Sequence, residues 1–146
     1  MKLTSILHEK TFIATALALS TTLFFGGCAK TIYFENSTIE PAAVGKVKVI
    51  KDKNANYSLD VSIMHLADPK RLSPPKEIYV VWAEAPNNEL KNVGRIHTGT
   101  SMLSNTLKGS LKTVTTFKPK KVFITAEEDR EIHEPGNPVV MSTESF

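Results

Sequence analysis

Cysteine is almost absent from this sequence of 146 residues, which contains a single one at position 28. One cysteine excludes an intramolecular disulfide, so the fold must rest on an apolar core. Beyond residue 27 the sequence also lacks an apolar run long enough to span a membrane. It has no stretch of ten or more residues there with the apolar period of an amphipathic helix. For the residues after 27, these absences exclude an all-helical fold, a fold cross-linked by disulfides and a membrane-spanning helix.

A concentrated charge of one sign is missing too. The chain has 18 Lys and Arg against 15 Asp and Glu, a net charge of +3. Nucleic-acid-binding domains concentrate their basic residues in a stripe, which this sequence does not have. We therefore predict no nucleic-acid partner.

The sequence signatures of catalysis and metal binding are also scarce. After residue 27 there is no Gly-x-Ser-x-Gly elbow and no glycine-rich phosphate loop before a helix. His65, His97 and His133 lie far apart in sequence and lack the spacing of paired metal ligands. The sequence predicts a protein that is not an enzyme, with no cofactor, metal site or small-molecule substrate.

The first 28 residues have the three-part layout of an export signal. Lys2 and Lys10 form a basic region, Thr11–Phe25 are mostly apolar, and two glycines precede Cys28. This apolar run of about 15 residues is shorter than the roughly 20 residues of a spanning helix. We therefore predict that residues 1–27 are a cleaved signal peptide.

The stretch Phe25-Gly26-Gly27-Cys28 resembles the lipobox of bacterial lipoproteins, with Phe25 where the family usually has leucine. The resemblance implies a lipid thioether on Cys28, cleavage before it and acylation of the new N-terminus. It thus implies a membrane partner through the lipid and an extracytoplasmic location in the cell envelope. Because Ala29 follows the cysteine rather than aspartate, the family rule gives the outer membrane if the cell has two. The alternative is an ordinary signal peptide whose cysteine falls there by chance.

The mature chain has the length of one domain. Residues 28–45 are predicted as the lipidated N-terminus and a tether, and residues 46–146 as the domain. Turn and extended chemistry fills most of the tether, but Ile32, Tyr33 and Phe34 could also form a short edge strand or lie near lipid headgroups.

From Lys46 onward, apolar and polar residues alternate in short runs that turn residues separate, the pattern of half-buried strands. One run, Ile78–Ala83, is apolar on both faces, as is typical of a central strand. Residues 99–109 and 127–138 are predicted as loops. The seven predicted strands are Lys46–Ile50, Tyr57–Leu66, Ile78–Ala83, Leu90–Ile96, Leu111–Phe117, Lys121–Ala126 and Val139–Met141. Their spacing predicts an all-β sandwich or barrel.

Four of these segments together resemble the extracytoplasmic C-terminal domain of anti-sigma-K-type factors. They are Tyr79-Val80-Val81-Trp82-Ala83, Val93-Gly94-Arg95-Ile96, Phe123-Ile124-Thr125-Ala126-Glu127 and Pro138-Val139-Val140-Met141-Ser142. The resemblance covers roughly residues 77–143 and implies an immunoglobulin-like β-sandwich. The sigma-binding helical region and transmembrane helix of that family have no counterpart here, so the resemblance lends a fold and no sigma-factor binding.

Few side chains stand out as candidates for a binding site. Trp82 is predicted to pack between the two sheets, with a binding platform for sugar rings as the alternative. Tyr79 points the opposite way by strand parity, and a core position is favoured for it too, with an exposed ring in a binding site as the alternative. Glu131 and His133 belong to the densest local cluster of metal-ligand types, which we interpret as a solvated loop and a candidate binding region. The lysines at 118, 120 and 121 form a basic turn that is either solvated or in contact with anionic lipid or glycan.

The sequence thus predicts a lipid-anchored, non-enzymatic β-sandwich that binds another envelope protein. Two alternatives stay open. The resemblance to anti-sigma factors implies a sensory or regulatory lipoprotein, and the exposed surfaces of a sandwich also suit a carbohydrate-binding or adhesion module.

Overall fold

The computed structural model describes residues 29–101 and 104–146. This part of the chain forms nine strands, which are β1 (Ala29–Tyr33), β2 (Val44–Lys51), β3 (Tyr57–Met64), β4 (Ile78–Glu84), β5 (Leu90–Arg95), β6 (His97–Ser101), β7 (Ser104–Thr115), β8 (Lys121–Glu127) and β9 (Val139–Ser142). They make two antiparallel sheets, with strand order β1-β2-β3-β7-β6 in the first and β5-β4-β8-β9 in the second. The predicted all-β sandwich is confirmed, while the immunoglobulin-like topology stays a prediction.

The main core lies between the two sheets and follows the alternation of the sequence. In β3, Leu59, Val61 and Ile63 are buried while Ser62 and Met64 are exposed. The facing sheet contributes Tyr79 and Val81 to the same cluster. Strand β4 lies between β5 and β8, and its sequence is apolar on both faces because one face packs in the main core and the other in a second buried cluster.

The first residues after Cys28 form a strand rather than a tether, which confirms the alternative of a short edge strand around Ile32. Ala29–Tyr33 form edge strand β1, whose residues pair with Lys46–Ile50 of β2. Only Ile32 and the following Phe34 turn toward the core, so the alternation was too short to stand out in the sequence. The described part of the sandwich therefore already includes residue 29.

The prediction of a loop at residues 99–109 was wrong, because most of these residues belong to a hairpin. Thr98 pairs with Gly109, and Thr100 pairs with Leu107. Serine, threonine and glycine give these strands no apolar alternation to detect. Gly109 leaves room for its buried neighbours, since a Cβ there would lie 2.7 Å from Cγ2 of Ile96 and 2.9 Å from Cδ2 of Leu66, so these side chains would have to shift.

The antiparallel registers place chain segments at two opposite ends of the sandwich. The N-terminal end holds the start of β1, the loops 52–56, 85–89 and 116–120, and the C-terminal residues 143–146. The far end holds the loops 35–43, 65–77 and 128–138. Ala29, which follows Cys28 in the sequence, therefore lies at the N-terminal end.

Candidate functional site

The candidate residues predicted from the sequence do not come together in one site. Cys28 lies outside the described residues, and the strand that follows it starts at Ala29. Glu131 and His133 are exposed in the far-end loop, where the Glu131 amide donates to Asp129 Oδ1 at 3.0 Å. Across residues 29–101 and 104–146 no three His, Cys, Asp or Glu side chains are placed to hold a metal ion.

Tyr79 is buried, so the favoured prediction of a core position holds and the alternative of a surface ring is wrong. Its side chain is 1% exposed and packs in the core between the sheets. The parity argument failed because the outer face of β4 is itself covered, which leaves neither face open. The Tyr79 hydroxyl has no hydrogen-bond partner among the described residues. Burial raises the pKa of this phenol well above its usual value, and the negative charges of Glu40 and Asp68 raise it further.

Replacing Tyr79 by phenylalanine is expected to raise the free energy of unfolding by about 1 kcal/mol, because it removes an unpaired buried hydroxyl. The raised pKa adds a pH dependence. The folded phenol stays protonated at a pH where the unfolded phenol ionises. The free energy of unfolding is therefore unaffected by the ionisation of this group below pH 10.0 and falls as the pH rises above that value.

Urea unfolding at neutral pH and at pH values above 10 measures both effects. We expect the Tyr79→Phe protein to be more stable at neutral pH and to lose less stability at alkaline pH. A lower stability of the variant at neutral pH would mean that the hydroxyl has a bonding partner.

A second buried cluster lies on the outer face of the four-stranded sheet. It contains Val80, Trp82 and Phe123, so Trp82 is fully buried but outside the space between the sheets where the sequence placed it. The rings of Trp82 and Phe123 stack with centroids 6.5 Å apart. The indole Nε1 donates to Thr125 Oγ1 at 2.8 Å, and that hydroxyl donates in turn to the buried carboxylate of Glu127.

The loop 128–138 covers this cluster. Its Ile132 packs on the cluster, and its Gly136 amide donates to Glu127 Oε1 at 2.9 Å. Strand β5 holds the same loop through Arg95, which donates to the Arg130 carbonyl at 2.7 Å, and Asn92, which donates to the Ile132 carbonyl at 3.2 Å. Glu127 is thus a buried structural group that fixes the loop.

Ser73 and Lys76 have the sequence spacing of a Ser-x-x-Lys catalytic pair. That motif needs a helix, which brings residues three apart onto one face. Here the two residues lie in a loop that contains Pro74 and Pro75. The Lys76 ammonium pairs with Glu128 at 2.8 Å, and no hydrogen bond joins it to Ser73 in the described part of the chain. The pair is therefore not arranged for nucleophilic catalysis.

An apolar groove of about 400 Å³ opens on the outer face of the five-stranded sheet. Three of its lining side chains are large, apolar and exposed, namely Tyr33 at 70%, Val44 at 47% and Met64 at 46%. Among the described residues, Lys46 is the only charged one that lines it. The sequence signal for this groove was weak, because its residues come from the predicted tether and from the polar face of two strands.

Strand β1 joins this groove to a second cleft. The cleft, of about 510 Å³, runs along the outer edge of β1 and is bounded by residues 30–35 and by Glu144–Phe146. Because β1 is the last strand of its sheet, its outer backbone edge faces the cleft along most of its length. The edge is closed just after Tyr33, where Phe34 bridges to Thr143 and the Glu35 amide donates to the Ser142 carbonyl at 2.8 Å. Tyr33 and Phe34 line both the groove and the cleft, so the two are continuous.

Comparison with known proteins gives no relative, since no family model matches the chain and neither a curated protein nor a solved structure is similar to it. Among the described residues, no helix has the length and apolar character needed to cross a membrane.

Proposed function

We propose that this protein is a lipid-anchored component of the cell envelope whose non-catalytic β-sandwich binds an extended segment of a protein partner along β1. The observation that supports the proposal is that Tyr33 lines both the apolar groove and the cleft along the outer edge of β1.

The physical basis of binding is β-strand addition. An extended segment placed beside β1 forms main-chain hydrogen bonds with the open edge, and a neighbouring pocket accepts its side chains. The groove lined by Tyr33, Val44 and Met64 suits an apolar side chain. The ammonium of Lys46 at its rim adds a preference for a carboxylate on the partner.

The anchor in this proposal is Cys28, the residue immediately before β1. Stable membrane attachment requires two or more lipid chains, which the lipoprotein modification supplies. The groove lies at the C-terminal end of β1, so it faces away from the anchored residue. A regulatory role, as in anti-sigma factors, would use the same anchor and differ in the identity of the partner.

A carbohydrate-binding module is the second candidate, favoured by the exposed ring of Tyr33. Sugar rings stack on exposed aromatic side chains, and the polar groups of Asn36, Lys46 and Ser62 line the same groove. This alternative uses the Tyr33 ring and needs no strand addition.

Photo-cross-linking in intact cells tests the proposed partner site. A photoreactive amino acid is placed at position 33 or 64 of the full chain, and at Val139 as a control. Val139 is similarly exposed, at 44%, but lies on the other sheet. We expect a discrete protein adduct from positions 33 and 64, absent from position 139 and reduced by Lys46→Glu.

Two outcomes would contradict the proposed function. No protein adduct at positions 33 and 64, or the same adducts at all three positions, would remove the groove as a protein site. Binding to a glycan array that Tyr33→Ser abolishes would establish the carbohydrate alternative in its place.

A further inference from the structure

Three lysines converge on a small hollow at the N-terminal end of the sandwich. Lys30, Lys51 and Lys118 line a cavity of about 140 Å³ together with the rings of Tyr57 and Phe146. The Lys30 ammonium lies 5.3 Å from the Phe146 ring centroid, and the Lys51 ammonium lies 6.0 Å from that of Tyr57. The rings thus hold two of the three cations beside the hollow.

The charge of this hollow is not neutralised within the described chain. No carboxylate side chain lines the hollow, and over residues 29–101 and 104–146 none of its three lysines forms an ion pair. Like charges that share a concave surface focus a positive potential and attract anions. The hollow is therefore suited to a phosphate group.

Several carboxylates lie at the same end of the sandwich without lining the hollow. Glu84 pairs with Lys120 at 3.3 Å, and Glu89 also forms an ion pair with a lysine. Asp52 accepts hydrogen bonds from the backbone of its own turn, and Glu144 lines the neighbouring cleft. The side chains that line the hollow itself therefore carry three positive charges and no negative one among the described residues.

The hollow also lies close to the proposed anchor. Lys30 follows Cys28 by two residues, so their Cα atoms are at most about 8 Å apart. At the far end, by contrast, the loop 128–138 contains four carboxylates and one arginine, at Glu128, Asp129, Glu131, Glu134 and Arg130. The two ends therefore differ in charge, and the positive one adjoins Cys28.

We propose that this lysine hollow binds the phosphate of an anionic phospholipid in the leaflet that holds the anchor, and that it seats the sandwich end-on upon the membrane. The inference rests on the proposed lipid anchor and adds an orientation to it. The end-on seating keeps the groove at Tyr33 and the acidic far end away from the bilayer, where a partner can reach the groove.

Lysine reactivity tests the proposal with the full-length protein after extraction from membranes. The protein is reconstituted into vesicles of phosphatidylcholine, alone or mixed with phosphatidylglycerol, and acylation of each lysine is measured by mass spectrometry. A lysine near an anionic surface gains about 1 kcal/mol, so we expect about fivefold lower reactivity of Lys30, Lys51 and Lys118 in the anionic vesicles. Lys70 and Lys108, which are exposed elsewhere, serve as controls and should not change.

Triple variants provide a matched comparison. K30Q/K51Q/K118Q removes the hollow's charge, whereas K48Q/K70Q/K108Q removes the same charge from other exposed sites. With hydroxyl-radical footprinting, we expect anionic vesicles to protect Tyr57 and Phe146 in the wild type and in the second variant, and not in the first.

Equal reactivity of the three lysines in both vesicle types would overturn the proposal. Equal protection by inorganic phosphate or by a soluble anionic glycan, with neutral vesicles, would also overturn it by assigning the hollow to a free anion or a polysaccharide. The mass of the peptide that contains Cys28, read in the same sample, tests the anchor separately. An unmodified Cys28 would refute the anchor even where the lysines are protected.

Discussion

Replacing Trp82 by alanine is expected to lower the free energy of unfolding by about 3–5 kcal/mol. The indole is fully buried, stacks on Phe123 and fills the space beneath the loop 128–138. Its removal leaves a cavity and also takes away the donor to Thr125. Urea unfolding followed by circular dichroism gives the difference, because the substitution removes the only tryptophan fluorophore.

Trp82→Phe is the control that separates packing from hydrogen bonding. It keeps an aromatic ring against Phe123 and removes the indole N–H, so we expect a smaller loss, of about 1–3 kcal/mol. A loss of less than about 1 kcal/mol for Trp82→Ala would contradict a buried role and assign the indole to the surface.

The second large effect concerns membrane attachment and is expected for Cys28→Ser. The thioether requires the cysteine sulfur, so the serine protein should lose lipid labelling and leave the membrane fraction. Metabolic labelling with a fatty acid and fractionation of cells measure both. A matched substitution one residue later, Ala29→Ser, retains the sulfur and should still be labelled. A Cys28→Ser protein that fractionates with membranes like the wild type would contradict the lipobox interpretation.

The fold class could be predicted from the sequence where one face of a strand is buried. Strand β3 alternates from Tyr57 to Met64, and that period directly states which side chains face the core. The strands that escaped prediction have no such period. The part of β7 before the predicted strand at Leu111 begins with short polar residues, and Ala29–Tyr33 has one partly buried side chain. These strands are defined by backbone pairing with their neighbours, which the local sequence does not encode.

The location of the buried aromatic residues shows a different limit of prediction from the sequence. The sequence indicated that β4 is buried on both faces, but it could not say what covers each face. Trp82 faces a loop that the charge pattern marked as solvated, and Glu127 is buried at the base of that loop. A hydrogen bond from the Gly136 amide fixes this arrangement, and such a contact between distant residues leaves no periodic signal.

Both proposed surfaces combine residues that are distant in sequence. The hollow joins Lys30 to Lys118, and the groove joins Tyr33 to Met64. Strand parity alone marked Lys46 and Ser62 as outward-facing, so their exposure was predictable. Their convergence with the exposed ring of Tyr33 required the pairing of β1 with β2, which the tether prediction had omitted.

The intact mass of the protein extracted from membranes tests the lipid anchor most directly. We expect the mature chain to begin at Cys28 and to carry a diacylglyceryl thioether and an amide-linked acyl chain, both lost in Cys28→Ser. A chain that retains residues 1–27, begins at another residue, or has an unmodified Cys28 thiol would contradict the account.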